Sequence, residues 1–223
     1  MMQNSDPSDA EPIVATDAAA PAEALAAVAP VRKRPKPGER RVQILQTLAS
    51  MLEQPGADRI TTAALAAKLD VSEAALYRHF ASKAQMFEGL IEFIEQTVFT
   101  LINQIQEREA ASNVQVQKML TVLLQFAEKN PGMARVMVGD ALVFENDRLL
   151  ARMNQFFERF ESQLRQSLRA MAEAAGSDTP SVDANAQASV LTAFAVGRLQ
   201  RYARSGFKRS PTEHLDAALR LIG

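Results

Sequence analysis

Between Thr61 and Lys83 the chain concentrates side chains suited to holding anions and reading polar edges, and few suited to covalent chemistry. Tyr77, Arg78 and His79 are consecutive, and Ser72, Glu73 and Ala74 precede them by about one helical turn. On the outer side of a short helix, Arg78 can reach guanine or phosphate, while Tyr77 and His79 can donate to phosphate oxygens. Small residues near the start of that helix let it sit deep in a major groove. Thr61, Thr62 and Lys83 fall at expected helix N-termini, where free N–H groups and a partial positive charge favour phosphate. The set implies non-covalent recognition of double-stranded DNA.

The same inventory argues against an enzyme. There is no cysteine, so no thiol nucleophile, disulfide or cysteine zinc site is available. The histidines are His79 and His214, far apart in sequence, and no HExxH, GxSxG or phosphate-cradling glycine loop occurs. Glu92 and Glu95 read as carboxylates on a solvated helix face. We expect no catalytic residue, no metal and no cofactor.

To present Tyr77 to His79 outward, two helices of about two turns must cross steeply through a tight turn. The pattern predicts them over Thr62 to Leu69 and about Ser72 to Phe80. Leu65, Leu69, Val71, Leu76 and Phe80 are the apolar positions that lock the crossing, and the small Ala66 allows close approach. Ser72 is suited to cap the second helix. The turn needs a residue tolerant of the left-handed region near position 70, where Asp70 stands. A plain helical hairpin inside a core is the competing reading, and the Tyr-Arg-His cluster following small residues counts against it.

The remaining chain also reads as helix. Val42, Leu45, Leu48, Ala49 and Leu52 recur at helical spacing before a stop at Pro55-Gly56. Ser82 and Gln85 have capping-box spacing and open a long helix with Met86, Phe87, Leu90, Ile91, Ile94, Val98, Leu101 and Ile105 inward. Further helices are expected over about Val114 to Lys129, Met133 to Val143, Asn146 to Ala175 and Val182 to Arg204, with a last one opening at Pro211. Leu150, Met153, Phe157, Phe160, Leu164, Leu168 and Met171 form the apolar stripe of the Asn146 helix. The fold class is all-α. No apolar run reaches the ~18 residues of a membrane span, and the N-terminus lacks the pattern of a secretory signal. We expect a cytoplasmic, nucleoid-associated protein without a membrane partner.

Formal net charge is −1 over 223 residues, but the charge is unevenly placed. Residues 1–31 carry Asp6, Asp9, Glu11, Asp17 and Glu23 and no base, whereas Arg32, Lys33, Arg34, Lys36, Arg40 and Arg41 follow against Glu39 alone. Residues 1–37 have too few large apolar side chains to offset ordering entropy and are expected to be disordered. Their basic end is either a solvated linker or an arm that follows the DNA backbone.

Taken together, Ile60-Thr61-Thr62, Leu76-Tyr77-Arg78-His79-Phe80, Ser82-Lys83 and Phe87 resemble the DNA-binding domain of TetR-family regulators. Residues 71–80, Leu90 to Glu95, Asn130-Pro131-Gly132, Phe144 to Leu149, Phe157 to Arg159 and Gln163 to Gln166 extend the resemblance to the nucleoid occlusion factors of that family. It covers about residues 39–222 and is weaker over Gln106 to Gln117 and after Arg169. Asp70 departs from the pattern, since many relatives carry glycine there. The resemblance implies a three-helix helix-turn-helix domain over 38–85 and a helical dimerisation and regulatory domain over 86–223. It implies a homodimer on palindromic chromosomal sites that antagonises the tubulin-like division protein FtsZ.

Phe93, Lys129 and Asn130 match the region where FtsZ docks in such proteins. Core packing is the other reading of Phe93, and helix termination the other reading of Lys129 and Asn130. For the dimer, the Asn146 and Val182 helices are the expected pair. Ala186, Val190, Ala193, Phe194 and Gly197 supply the interface, with Leu191 beside them, unless that seam packs within one subunit. The alternative function is a ligand-responsive repressor whose pocket would use Met119, Phe126, Met133, Met137, Phe144 and Met153. Those residues read more simply as core, because methionine fills irregular gaps, and no small-molecule ligand is expected.

Overall fold

The computed structural model describes residues 38–54 and 59–222. The acidic segment, the basic residues Arg32 to Lys36 and the Pro55-Gly56 stop lie outside the described residues. Among the described residues there are nine α-helices and no strand. They are α1 Glu39–Leu52, α2 Thr62–Leu69, α3 Glu73–Tyr77, α4 Lys83–Arg108, α5 Ser112–Lys129, α6 Pro131–Met137, α7 Asp147–Ala174, α8 Pro180–Arg204 and α9 Leu215–Ile222. A single 3-10 turn, Asp140–Leu142, links α6 to α7. No helix among the described residues is long and apolar enough to cross a membrane.

The three N-terminal helices close on Ile44, Leu48, Leu52, Leu65, Leu69, Leu76 and Phe80, all buried. Removing each such side chain from water is worth ~1.5–3 kcal/mol, which lets helices as short as α2 and α3 persist despite their length. Helix α4 then runs without interruption from beside α3 into the C-terminal half, so its first turn spans the boundary expected at residue 85. In that half, α7 and α8 form the most extensive helix pair, and α5 packs against both.

Gly132 fixes the N-terminal helices against the rest. It opens α6 where α6 meets α1, and a Cβ built there would stand 2.1 Å from the Ala49 carbonyl oxygen. Only hydrogen fits in that gap. Arg135, one turn later on α6, reaches the Leu52 carbonyl at the end of α1 at 3.5 Å.

Several expected inward positions are displaced by one or two residues. On α1 the core residue is Ile44, while Val42 is exposed. On α4, Phe99 and Ile102 are buried and Leu101 is exposed. On α7, Leu149 and Phe156 point inward and Leu150 outward. A straight helix advances 3.6 residues per turn, so a stripe read with a rigid three-or-four spacing drifts across the face over several turns. Of the six candidate pocket residues, Met119, Phe126, Met133, Met137 and Met153 are buried in the core, but Phe144 is 66% exposed. The last helix starts at Leu215 rather than at Pro211, because residues 211–214 form turns.

Candidate nucleic-acid interface

Three side-chain caps build the N-terminal motif. The Thr61 hydroxyl accepts from the Ala64 N–H at 3.1 Å, Ser72 from Ala75 at 3.2 Å and Ser82 from Gln85 at 3.2 Å. Each satisfies one of the N–H groups a helix start leaves unpaired, an effect worth ~1 kcal/mol. The Gln85 side chain reciprocates by accepting from the Ala81 N–H at 2.8 Å, one residue earlier than a standard capping box.

The turn between α2 and α3 behaves as the position-70 argument requires. Asp70 has φ 53° and ψ 52°, the left-handed region, and its N–H closes on Ala67 while that of Val71 closes on Ala66. An aspartate there is tolerated at some steric cost relative to glycine.

Helix α3 is shorter than expected. It ends at Tyr77, and the N–H groups of His79 and Phe80 both fold back onto the Leu76 carbonyl at 2.9 and 3.1 Å. The tightening delivers Phe80 to the core, where it is 1% exposed. Arg41 braces this corner from α1. Its guanidinium lies 4.0 Å from the Phe80 ring centroid, and it donates to the His79 carbonyl at 2.9 Å. Arg41 therefore belongs to the scaffold of the motif rather than to the basic arm with which sequence position grouped it.

The outward face is presented as the sequence suggests. Thr61, Ser72, Glu73, Ala74, Arg78 and His79 are exposed, and Tyr77 is 45% exposed. Three candidates are already engaged. Thr62 donates its hydroxyl to the Glu73 carboxylate at 2.6 Å, tying the start of α2 to the start of α3. Lys83 forms an ion pair with Glu145 from the segment before α7. Neither partnership was visible in local sequence.

The other candidate residues fall on two further surfaces. Phe93 is 46% exposed on α4, not core, and its ring lies 6.1 Å from that of Phe126. The Asn130 amide donates to the Phe126 carbonyl at 2.7 Å, holding the end of α5, and Lys129 beside it is exposed. Phe93 of α4 thus meets the Phe126 ring of α5, and Asn130 closes the end of the helix that carries that ring. On α8, Ala186, Val190, Ala193 and Gly197 lie on the exposed side and Phe194 is half-buried under the Arg198 guanidinium. Leu191, expected next to that seam, is instead buried within the subunit.

Glu95, read from sequence as a solvated carboxylate, is paired with Arg152 of α7 at 2.6 Å. That hydrogen bond holds the Arg152 guanidinium above its already high ordinary pKa. Glu92 accepts from the neighbouring Gln96 side chain at 3.2 Å. Among the described residues no group of three or more His, Cys, Asp or Glu side chains is arranged to hold a metal.

Short crossed helices with an exposed, capped second helix, carried on a helical C-terminal half, define a TetR-type DNA-binding regulator. Residues 44–90 match the family described as bacterial regulatory proteins, tetR family, and residues 110–222 match the tetracyclin repressor-like, C-terminal domain of SlmA-like proteins. The structure is similar to that of the transcriptional regulator FadR from Bacillus subtilis in complex with stearoyl-CoA. That match has TM-score 0.65 and 14% identity, and it covers 81% of this chain and 96% of that one. The chain is 52% identical to nucleoid occlusion factor SlmA of Photobacterium profundum, covering 84% of this chain and 95% of that one. It is 53% identical to SlmA of Alteromonas mediterranea, covering 81% and 92% respectively. The chain belongs to the SlmA family of nucleoid occlusion factors, DNA-binding regulators and not enzymes.

Proposed function

We propose that this protein acts at the nucleoid, in the cytoplasm, as a homodimer on palindromic chromosomal sites, and that in its DNA-bound form it antagonises assembly of the division protein FtsZ. The observation that carries the reading is the exposed face of α3, with Ser72, Glu73, Ala74, Tyr77, Arg78 and His79 all on the solvent side of a self-capped motif. Residues 38–85 bear the DNA in this reading, and residues 86–223 bear the dimer and the protein partner.

A single recognition helix reads only a few base pairs, so two-fold repetition with half-sites about one helical turn apart is needed for a specific site. The α7–α8 face suits that repetition. Val190 is 54% exposed amid Ala186, Ala193 and Gly197, small enough for a second helix to approach closely. The neighbouring groove is lined by Leu150, Phe157 and Val196. Beside it Thr192 is 8% exposed, and its hydroxyl makes no hydrogen bond within the chain.

For FtsZ, the surface around Phe126 is the candidate, with Phe93, Lys129 and Asn130 as contacts. It combines a half-exposed ring with a cation at a helix end, features suited to a peptide segment with apolar and acidic groups. A small-molecule reading has less support. The most enclosed hollow found among the described residues, between α5, α7, α8 and α9 and lined by Leu120, Leu168, Met171, Leu191 and Leu219, has a volume of about 240 Å³, below the usual range of ligand pockets, ~300–1,000 Å³, and the larger hollows are shallow and open to solvent.

Light scattering of FtsZ polymers tests the reading. The protein together with its specific duplex should lower scattering well below that seen with either alone. Polymers unaffected by the protein–DNA complex would contradict it.

A further inference from the structure

Ion pairs from three successive positions join α4 to the start of α7: Lys83 with Glu145, Glu88 with Arg148 at 2.6 Å, and Glu95 with Arg152 at 2.6 Å. In the second and third, α4 supplies the carboxylate. In the pair nearest the DNA-binding face the polarity reverses, and α4 supplies the cation. That cation is the first residue of α4, immediately after its Ser82 cap and three residues beyond Phe80. Its side chain is drawn inward, 23% exposed, with the ammonium 5.7 Å from the Phe87 ring centroid, and the Glu145 side chain is only 10% exposed.

We propose that Glu145 is a brake on DNA binding: the Lys83 ammonium serves either Glu145 or a DNA phosphate, and its transfer to phosphate releases the segment 143–146. The proposal rests on the reading that the α2–α3 face binds DNA. A lysine paired with a carboxylate contributes no net charge toward a phosphate, so the pair lowers the affinity of the face that carries it. Once Lys83 turns to the duplex, Glu145 is left as a nearly buried carboxylate without its cation, which is costly. The segment relieves that cost by moving outward into water.

What moves with it is not inert. Val143 and Phe144, immediately before Glu145, are 69% and 66% exposed. Asn146, immediately after it, caps α7 through its side chain on the Arg148 N–H at 3.1 Å. The Glu145 N–H itself is held only by the Leu142 carbonyl at 3.0 Å. Occupancy of the DNA face is thereby linked to the position of an apolar tip on the regulatory half. Because the linkage is reciprocal, anything that binds the released tip strengthens DNA binding.

The test is a double-mutant cycle read by fluorescence anisotropy, using a duplex selected from a random library by the wild-type dimer. Glu145→Gln should tighten binding about three- to tenfold, and Lys83→Gln should weaken it. In the Lys83→Gln background, Glu145→Gln should change nothing. An equal gain in both backgrounds would show that the carboxylate acts through its general field, and the brake would be overturned. Weaker binding by Glu145→Gln alone would show that Glu145 positions Lys83 for DNA, which also overturns it. Hydrogen exchange on the wild-type chain gives an independent reading should a variant fold poorly. Amides of residues 143–149 should exchange faster with DNA bound, and unchanged or slower exchange contradicts the proposal. If the wild-type chain selects no duplex at all, the DNA reading itself fails, and the brake with it.

Discussion

The outer face of α2–α3 and the outer face of α7–α8 are both left uncovered within one chain, but they are uncovered in different chemistry. The first shows hydroxyls, a phenol, a guanidinium and an imidazole on helices whose ends are capped by their own side chains. The second shows Val190, Ala193, Gly197 and Leu150 beside a groove. A polar, self-satisfied face loses little in water and suits a hydrated polyanion that comes and goes. An apolar face is unfavourable in water and suits a permanent partner. Between them α6 and α4 make contrasting joints. At α6 the backbones touch through Gly132, whereas α4 adds ion pairs on its outer side to a buried apolar stripe.

The contrast between the two faces breaks most decisively at the apolar one. Val190→Asp combined with Ala193→Asp places like charges across the two-fold axis and should yield monomers by light-scattering chromatography. Specific DNA affinity should then fall at least ~100-fold, since the second half-site loses its tethered reader. A variant that stays dimeric would remove α8 from the interface. Gly132→Ala attacks the rigid joint. The added methyl cannot coexist with the Ala49 carbonyl at 2.1 Å, so backbone must shift, costing about 3 kcal/mol in a denaturation experiment. An unchanged melting curve would show that α6 and α1 are free to slide.

The polar face should respond in function without loss of stability. Tyr77→Ala, at an exposed position, should weaken the specific duplex about tenfold and leave thermal stability as it was. Affinity unchanged across a salt series would reject Tyr77 as a contact. The turn is the next weaker test. Asp70→Val puts a β-branched side chain at φ 53° and should destabilise by about 1–2 kcal/mol, whereas Asp70→Gly should be close to neutral because relief of strain is offset by greater freedom in the unfolded chain. Equal stability of the two would mean the turn relaxes to another conformation. The smallest effect is expected from deleting residues 1–30, which should leave specific affinity nearly intact.

The motif itself was legible because its determinants are local. The bounds of α2, the caps Thr61, Ser72 and Ser82, and the left-handed Asp70 all depend on residues within four positions of one another. The exposed small-residue side of α8 was also readable, since Ala184, Ala188, Leu191, Ala195 and Leu199 take the opposite, buried side at helical spacing. Contacts across long sequence separations were not readable. Lys83 with Glu145, Arg152 with Glu95 and Arg41 under Phe80 each join charged or aromatic residues that have equally good local explanations as solvated side chains. The same holds for Gly132, whose need for hydrogen in place of a side chain comes from a helix more than eighty positions away.

The central claim is that the α3 face holds this protein on many chromosomal sites, and genome-wide mapping of its occupancy tests that most directly. The wild-type chain should mark palindromic sites spread over the chromosome and sparse near the replication terminus, and Tyr77→Ala should lower their occupancy. A single peak beside the protein's own gene, or an unchanged map in the variant, would contradict the account.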